Sequence, residues 1–211
     1  MKNIRIILLL LLAITSACLG QSDPFTGSEK ISKKRYSFSS FSKISLLDID
    51  GKTEIEIGDS FKIEVKMREK YLPILLVTES NNELQIKFNY TRENNKYIFD
   101  PSIRIKITCP KLTEVYKQGN SSVSLHLKNQ SSFFMYNEGN GNAILHGNVE
   151  ELSLKNDGNG KTDAGALVAK NVHVDSFGNG DILINATEKA SGKRNGNGLI
   201  MQKGKAVLKL E

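Results

Sequence analysis

Chemistry in this chain would have to come from few residues, because it holds three histidines and two cysteines. His126 and His146 each stand seven residues after the glycine of a Gly-Asn dipeptide, Gly119-Asn120 and Gly139-Asn140. In a stacked β fold, equivalent positions fall on neighbouring strands about 4.8 Å apart, within reach of one metal ion. Two imidazoles are an incomplete site, since zinc takes three or four protein ligands. Their places beside Leu125 and Leu145 also turn both outward. No metal and no other cofactor is expected.

Acids are the next candidates, because polysaccharide-cleaving β-helices gather carboxylates on one face. Asp157, Asp163, Asp175 and Asp181 lie near successive dipeptides. Asp157 precedes its glycine by one residue, while Asp181 follows its own by three and Asp163 by five, so they form no column. A calcium-binding roll would show a nonapeptide G-G-x-G-x-D period, which is absent. There is no phosphate loop, no G-x-S-x-G elbow and no C-x-x-C pair. The chain reads as a non-enzyme that serves adhesion or surface interaction. A carbohydrate-active β-helix enzyme (polysaccharide lyase or hydrolase) and an envelope sensory domain stay open beside that reading.

The elements that would position these residues are all β. From residue 36 onward apolar residues alternate, as in Phe61, Ile63, Val65 and Met67, or Ile103, Ile105, Ile107 and Cys109. That is the period of a strand with one buried face. The main feature is a repeat. Gly-Asn recurs at Gly119-Asn120, Gly139-Asn140, Gly158-Asn159, Gly178-Asn179 and Gly196-Asn197, at intervals of 20, 19, 20 and 18 residues. Aligned on the glycine, Val123, Ala143, Thr162, Ile182 and Ile200 form one column. Leu125, Leu145, Ala164, Ile184 and Gln202 form another. A unit this short cannot bury its own apolar stripe, so neighbouring units must stack and bury it in common. Crossovers between parallel strands are right-handed. The expected fold is therefore a right-handed parallel β-helix, or solenoid, with coils of about 20 residues over 119–211 and a less regular N-terminal half.

At each corner glycine is expected to supply positive φ, and asparagine to tolerate it. Asparagines stacked along the axis can also form an amide ladder. Residues 36–118 lack the dipeptide and read as irregular coils or a capping sheet. The strand-like segment 206–210 leaves an edge that a second copy could pair with.

Targeting signals precede the fold. Lys2 and Arg5 are followed by an apolar run over 6–14 and by Thr15, Ser16 and Ala17. The run is shorter than the roughly 20 residues of a membrane-spanning helix, and residues 1–17 read as a secretory signal peptide. Cys18 then stands where a bacterial lipoprotein is lipidated, although Thr15 replaces the usual aliphatic residue and cleavage near Gly20 is the alternative. Residues 18–35 are polar and read as a flexible tether. The chain is placed outside the cytoplasm, in the cell envelope, either anchored in the outer membrane or periplasmic. Its partners would be the membrane through the lipid and a glycan or envelope protein. Tyr97 and Phe99, before Pro101, are candidates for an exposed contact such as sugar stacking. The formal charge of +6, from 29 basic and 23 acidic residues, is interspersed along the chain. It has no basic patch of the kind a nucleic-acid partner needs.

Taken together, F-S-K-I-S-L (41–46), T-E-I-E-I-G (53–58), I-R-I-K-I-T-C-P-K-L (103–112) and the G-N-G corners resemble the head GIN domain family of autotransporter-type adhesins. The resemblance covers about 38–210. It implies a solenoid-like fold and an envelope location, and it brings no catalytic residues. The last four corners depart from the family's frequent G-S-G by reading G-N-G.

Overall fold

The computed structural model describes residues 30–89 and 102–211. Cys18, Tyr97 and Phe99 lie outside the described residues. Alternation in the sequence becomes alternation in burial. In β9 (Ser122–Gly139), Val123, Leu125 and Leu127 point inward, followed after a bend by Phe133, Met135 and Asn137. The bend falls at 128–132, where Asn129 takes a φ of 50°. β10 (Ala143–Gly158) and β11 (Thr162–Ser176) lie parallel to it, residue against residue.

These long strands make two walls out of one sheet. The first part of β9 pairs with β3 (Gly51–Ile57), the second with β8 (Glu114–Gln118). The first wall runs β1 (Ile31–Tyr36), β4 (Lys62–Arg68), β7 (Ile103–Cys109), β3, β9, β10, β11, β12 (Ile182–Ile184), β14 (Ile200–Gln202). The second wall runs from β5 (Leu75–Ser80) through β6 (Glu83–Phe88), β2 (Lys43–Leu47) and β8. It continues through the far halves of β9, β10 and β11 to β13 (Ala186–Arg194) and β15 (Leu208–Leu210). The core lies between the walls, and each Leu or Ile buried there contributes about 1.5–3 kcal/mol.

The columns aligned on Gly-Asn pair as neighbours: Ala143 with Val123, Thr162 with Ala143, Ile182 with Thr162 and Ile200 with Ile182. The run of small residues Thr162, Ala164 and Gly165 coincides with a shift of register between β10 and β11. Cys109 is fully buried, and desolvation pushes its thiol up to about 12. It is therefore inert at neutral pH.

Two expectations are corrected. The fold is all-β, but its sheet is mixed and nearly closed like a barrel rather than wholly parallel. The pairs β1–β4, β4–β7 and β5–β6 are antiparallel. The reason is local for β5–β6, whose link Asn81-Asn82 has φ of 51° and 66°. Two positive φ values make the tight hairpin turn that matches strand twist. Second, residues 31–35, read as tether, belong to β1, which pairs with β4 over its whole length. Its polar, lysine-rich sequence protects a sheet edge rather than avoiding the sheet. The order of coils in space also departs from the order along the chain. β2 lies between β6 and β8, and β3 between β7 and β9. The coil of β6 and β7 is thus laid beneath an earlier one, and the chain steps past it to continue the stack.

Candidate binding faces

The corners come first, because they determine which side chains face outward. Asn140 donates to Asn120 at 3.0 Å, Asn159 to Asn140 at 2.8 Å, Asn179 to Asn159 at 2.8 Å and Asn197 to Asn179 at 2.9 Å. This is an exposed amide ladder through all five dipeptides. The backbone requirement differs from the expected one. Gly119 and Gly139 have φ of 95° and 99°, but Gly158, Gly178 and Gly196 do not reach positive φ, and neither does any ladder asparagine. What the upper corners require is room. A Cβ on Gly178 would stand 2.0 Å from the carbonyl oxygen of Gly158, and one on Gly160 would stand 2.1 Å from that of Gly141. Stacked corner carbonyls leave no space for a side chain.

Behind the ladder runs a second, buried polar column that sequence reasoning missed. Lys117, Asn137, Asn156 and Ser176 pair in register and are all but fully buried. Lys117 Nζ donates to Asn137 Oδ1 at 2.9 Å and to the Gly141 carbonyl at 2.8 Å. Asn137 donates in turn to Asn156 Oδ1 at 3.0 Å, and Asn156 to the Gly180 carbonyl at 3.1 Å. Burial pushes the Lys117 ammonium down to about 8. The signal was available: Lys117 is in phase with buried Val115, two residues earlier on β8.

On the outside of the first wall, His126 and His146 do come together, stacked at 4.9 Å with planes 13° apart. Among the described residues no three His, Cys, Asp or Glu side chains converge to hold a metal ion. The aspartates are engaged separately. Asp163 accepts from the Gly165 amide and pairs with Lys161, Asp175 meets His173, and Asp181 accepts from the Leu199 amide. The same wall carries an open groove of about 660 Å³ bordered by Lys52, Lys66, Arg104, Ser122, Ser124 and Ile144.

The second wall is different in character. Tyr116 and Tyr136 lie 5.1 Å apart, and the Lys155 ammonium sits 4.3 Å over the Tyr136 ring and 5.5 Å from that of Phe177. Tyr116 donates to Glu138 at 2.5 Å. Burial, with that carboxylate beside it, pushes the phenol above its ordinary range. Both walls thus offer flat, chemically varied outer surfaces on a rigid stack, and the acids near the corners are not gathered into one site.

A family described as "Putative auto-transporter adhesin, head GIN domain" matches residues 40–206. The chain belongs to the head GIN domain family. No curated protein sequence matches it. This head GIN domain protein is similar in structure to a "putative adhesin" from Bacteroides fragilis. The TM-score is 0.62 and the identity 21%, over 87% of this chain and 98% of that one. It is also similar to a "putative lipid binding protein" from Parabacteroides distasonis, with a TM-score of 0.53 and 15% identity over 88% and 98% of the two chains. A third likeness is a "putative adhesin" from Parabacteroides merdae, with a TM-score of 0.50 and 17% identity over 88% and 98%. At these identities the likeness is one of fold.

Proposed function

We propose that this head GIN domain protein is a non-catalytic adhesive module of the bacterial envelope, which presents the outer face of a rigid β stack to a ligand outside the cell. The observation that carries the reading is the contrast between interior and exterior at the same strands. Inward positions are mostly apolar, with a buried polar column among them, whereas most outer positions bordering the groove carry ionic or hydroxyl groups. A rigid scaffold with varied outer side chains suits binding, since little ordering cost is left for the ligand to offset. The family description, an auto-transporter adhesin head, supports the same reading.

Three further features complete the proposal. The leader over 1–17 directs export, Cys18 carries the lipid that anchors the protein in the outer membrane or at its periplasmic side, and the coils wind right-handed. A glycan or envelope protein is the partner, and copies of the chain associate through strand edges. Adhesion of the purified protein to bacterial cell walls, host-cell surfaces or extracellular matrix is the expected result. Absence of adhesion to every one of these preparations would overturn the reading. Incorporation of radiolabelled palmitate in the producing bacterium, lost in Cys18→Ala, is the expected result for the anchor.

A further inference from the structure

Sheet register brings together side chains that are far apart in sequence. Across the first wall, Lys33 stands opposite Lys66, Lys66 opposite Arg104, Arg104 opposite Lys52, and Lys52 opposite Ser122. Four basic residues therefore lie side by side on consecutive strands, whose backbones are about 4.8 Å apart. Like charges directly opposite one another destabilise a sheet.

The neighbouring row on the same strands shows that this arrangement is not forced by composition. Arg35, Glu64, Lys106 and Glu54 follow each other there with alternating sign. Arg35 reaches Glu64 at 3.5 Å, and Lys106 reaches Glu56 at 3.3 Å. In the cationic row, Lys33 and Lys66 share the one carboxylate of Glu64, at 2.5 and 3.7 Å. Lys52 and Arg104 have no ion-pair or hydrogen-bond partner among the described residues. Two adjacent cations with no counter-charge among the described residues, with Lys66 next to Arg104, carry an electrostatic cost that a bound anion would relieve.

The setting limits which anion that is. Lys66, Arg104 and Lys52 line the open groove of about 660 Å³, with the hydroxyls of Ser122 and Ser124 along one side and the exposed Ile144 beside them. Among the described residues no aromatic side chain lines it. Binding of single-stranded nucleic acid depends on aromatic platforms for its bases, so the groove does not suit one. Glu54 and Glu64 flank the cations within the groove, and a flat anionic membrane surface would meet them at the same time. A linear chain with spaced anionic groups, hydroxyls for the serines and apolar ring faces for Ile144 meets neither difficulty.

We propose that Lys66, Arg104 and Lys52 form a binding site for the carboxylate or sulfate groups of an acidic polysaccharide. The proposal rests on the adhesive reading and names the ligand class for it. The strand spacing is comparable to the length of one sugar, so a polysaccharide laid across the strands can present anionic groups to more than one of these cations.

The test compares the full chain with Lys52→Gln/Arg104→Gln and with the charge-matched Lys189→Gln/Lys205→Gln. Probes are polygalacturonate, heparin and neutral dextran, together with phosphatidylglycerol vesicles. Polygalacturonate carries carboxylates only and heparin carries sulfates as well, so binding to heparin alone assigns the site to sulfate. The groove variant is expected to lose affinity for at least one acidic polysaccharide by about tenfold or more, while the control stays within about twofold and dextran does not bind. Its melting temperature should equal or exceed that of the parent, because a repulsion has been removed. Equal losses in both variants, a lower melting temperature in the groove variant, or binding to vesicles but to neither polyanion would overturn the site. Adhesion to cells without binding to either polyanion would also overturn it while leaving the adhesive reading in place. Adhesion to nothing would remove both.

Discussion

From β9 onward every corner repeats the one beneath it, whereas before β9 the strands are held in place by other means. In the later coils, glycines at two positions let corner carbonyls stack within the space of a missing side chain, and two polar columns lock the register on either side. In the earlier coils the matching corner carries Asp48 at a φ of 51°, beneath Gly119, and the ladder asparagine is absent. Register there relies on a tight hairpin at Asn81-Asn82, on antiparallel partners and on ion pairs across strands. A stack can therefore be held by repetition or by local complementarity. Repetition frees the outer residues, while complementarity consumes them except where a row is left unneutralised.

Gly178→Val should break the repetitive half most severely. Its Cβ would overlap the Gly158 carbonyl oxygen. A loss of about 4 kcal/mol or more is expected in chemical denaturation. The same measurement on Asp48→Gly should show no loss, because glycine relieves the positive φ at that corner.

The pH dependence of stability sharpens the comparison at Lys117, where the two halves meet. Its folded value of about 8 lies below its ordinary value of 10.5. Below pH 8 the lysine is charged in both states, and folding carries the full cost of desolvating it. Between 8 and 10.5 the unfolded chain binds more protons, so stability rises with pH, by up to about 3 kcal/mol from this group. In Lys117→Met that rise should vanish. The difference between parent and variant across this range isolates Lys117 from the tyrosines.

Smaller effects follow on the surface. Asn159→Ala removes the ladder bonds to Asn140 and Asn179, and should cost about 0.5–1 kcal/mol because water replaces part of what is lost. Glu64→Gln probes the other half. The Lys33 hydrogen bond holds the Glu64 carboxyl below its ordinary range, ahead of the fields of Lys66 and Arg35. Its contribution is present above the unfolded value and lost as pH falls through the folded one. The variant should melt slightly earlier in low salt and like the parent in high salt, since exposed ion pairs are screened.

Legibility in the sequence followed the same division. Val123, Ala143, Thr162, Ile182 and Ile200 could be aligned because a dipeptide marked each coil, and they do pair. His126 and His146 could be placed side by side for the same reason, and their rings stack. In the first half nothing marked equivalent positions. The hairpin at Asn81-Asn82 was a readable turn signal that went unused. The placement of β6 and β7 beneath β2 and β3 leaves no trace in local pattern. Lys117 could have been found by its phase. Lys52, Lys66 and Arg104 could not, because they come from three strands whose adjacency is not sequential.

By itself the sequence determined the strands, their inward faces and the stacking of the later coils, because alternation and a fixed repeat are local properties that any compact fold must respect. Tertiary structure alone decided which strands of the first half are neighbours and that β4 runs antiparallel to β1 and β7. It also decided that glycine serves the upper corners through lack of volume rather than through φ, and that three distant cations share one groove. Each of those outcomes depends on what lies one strand away. That distance is short in space and is not written along the chain.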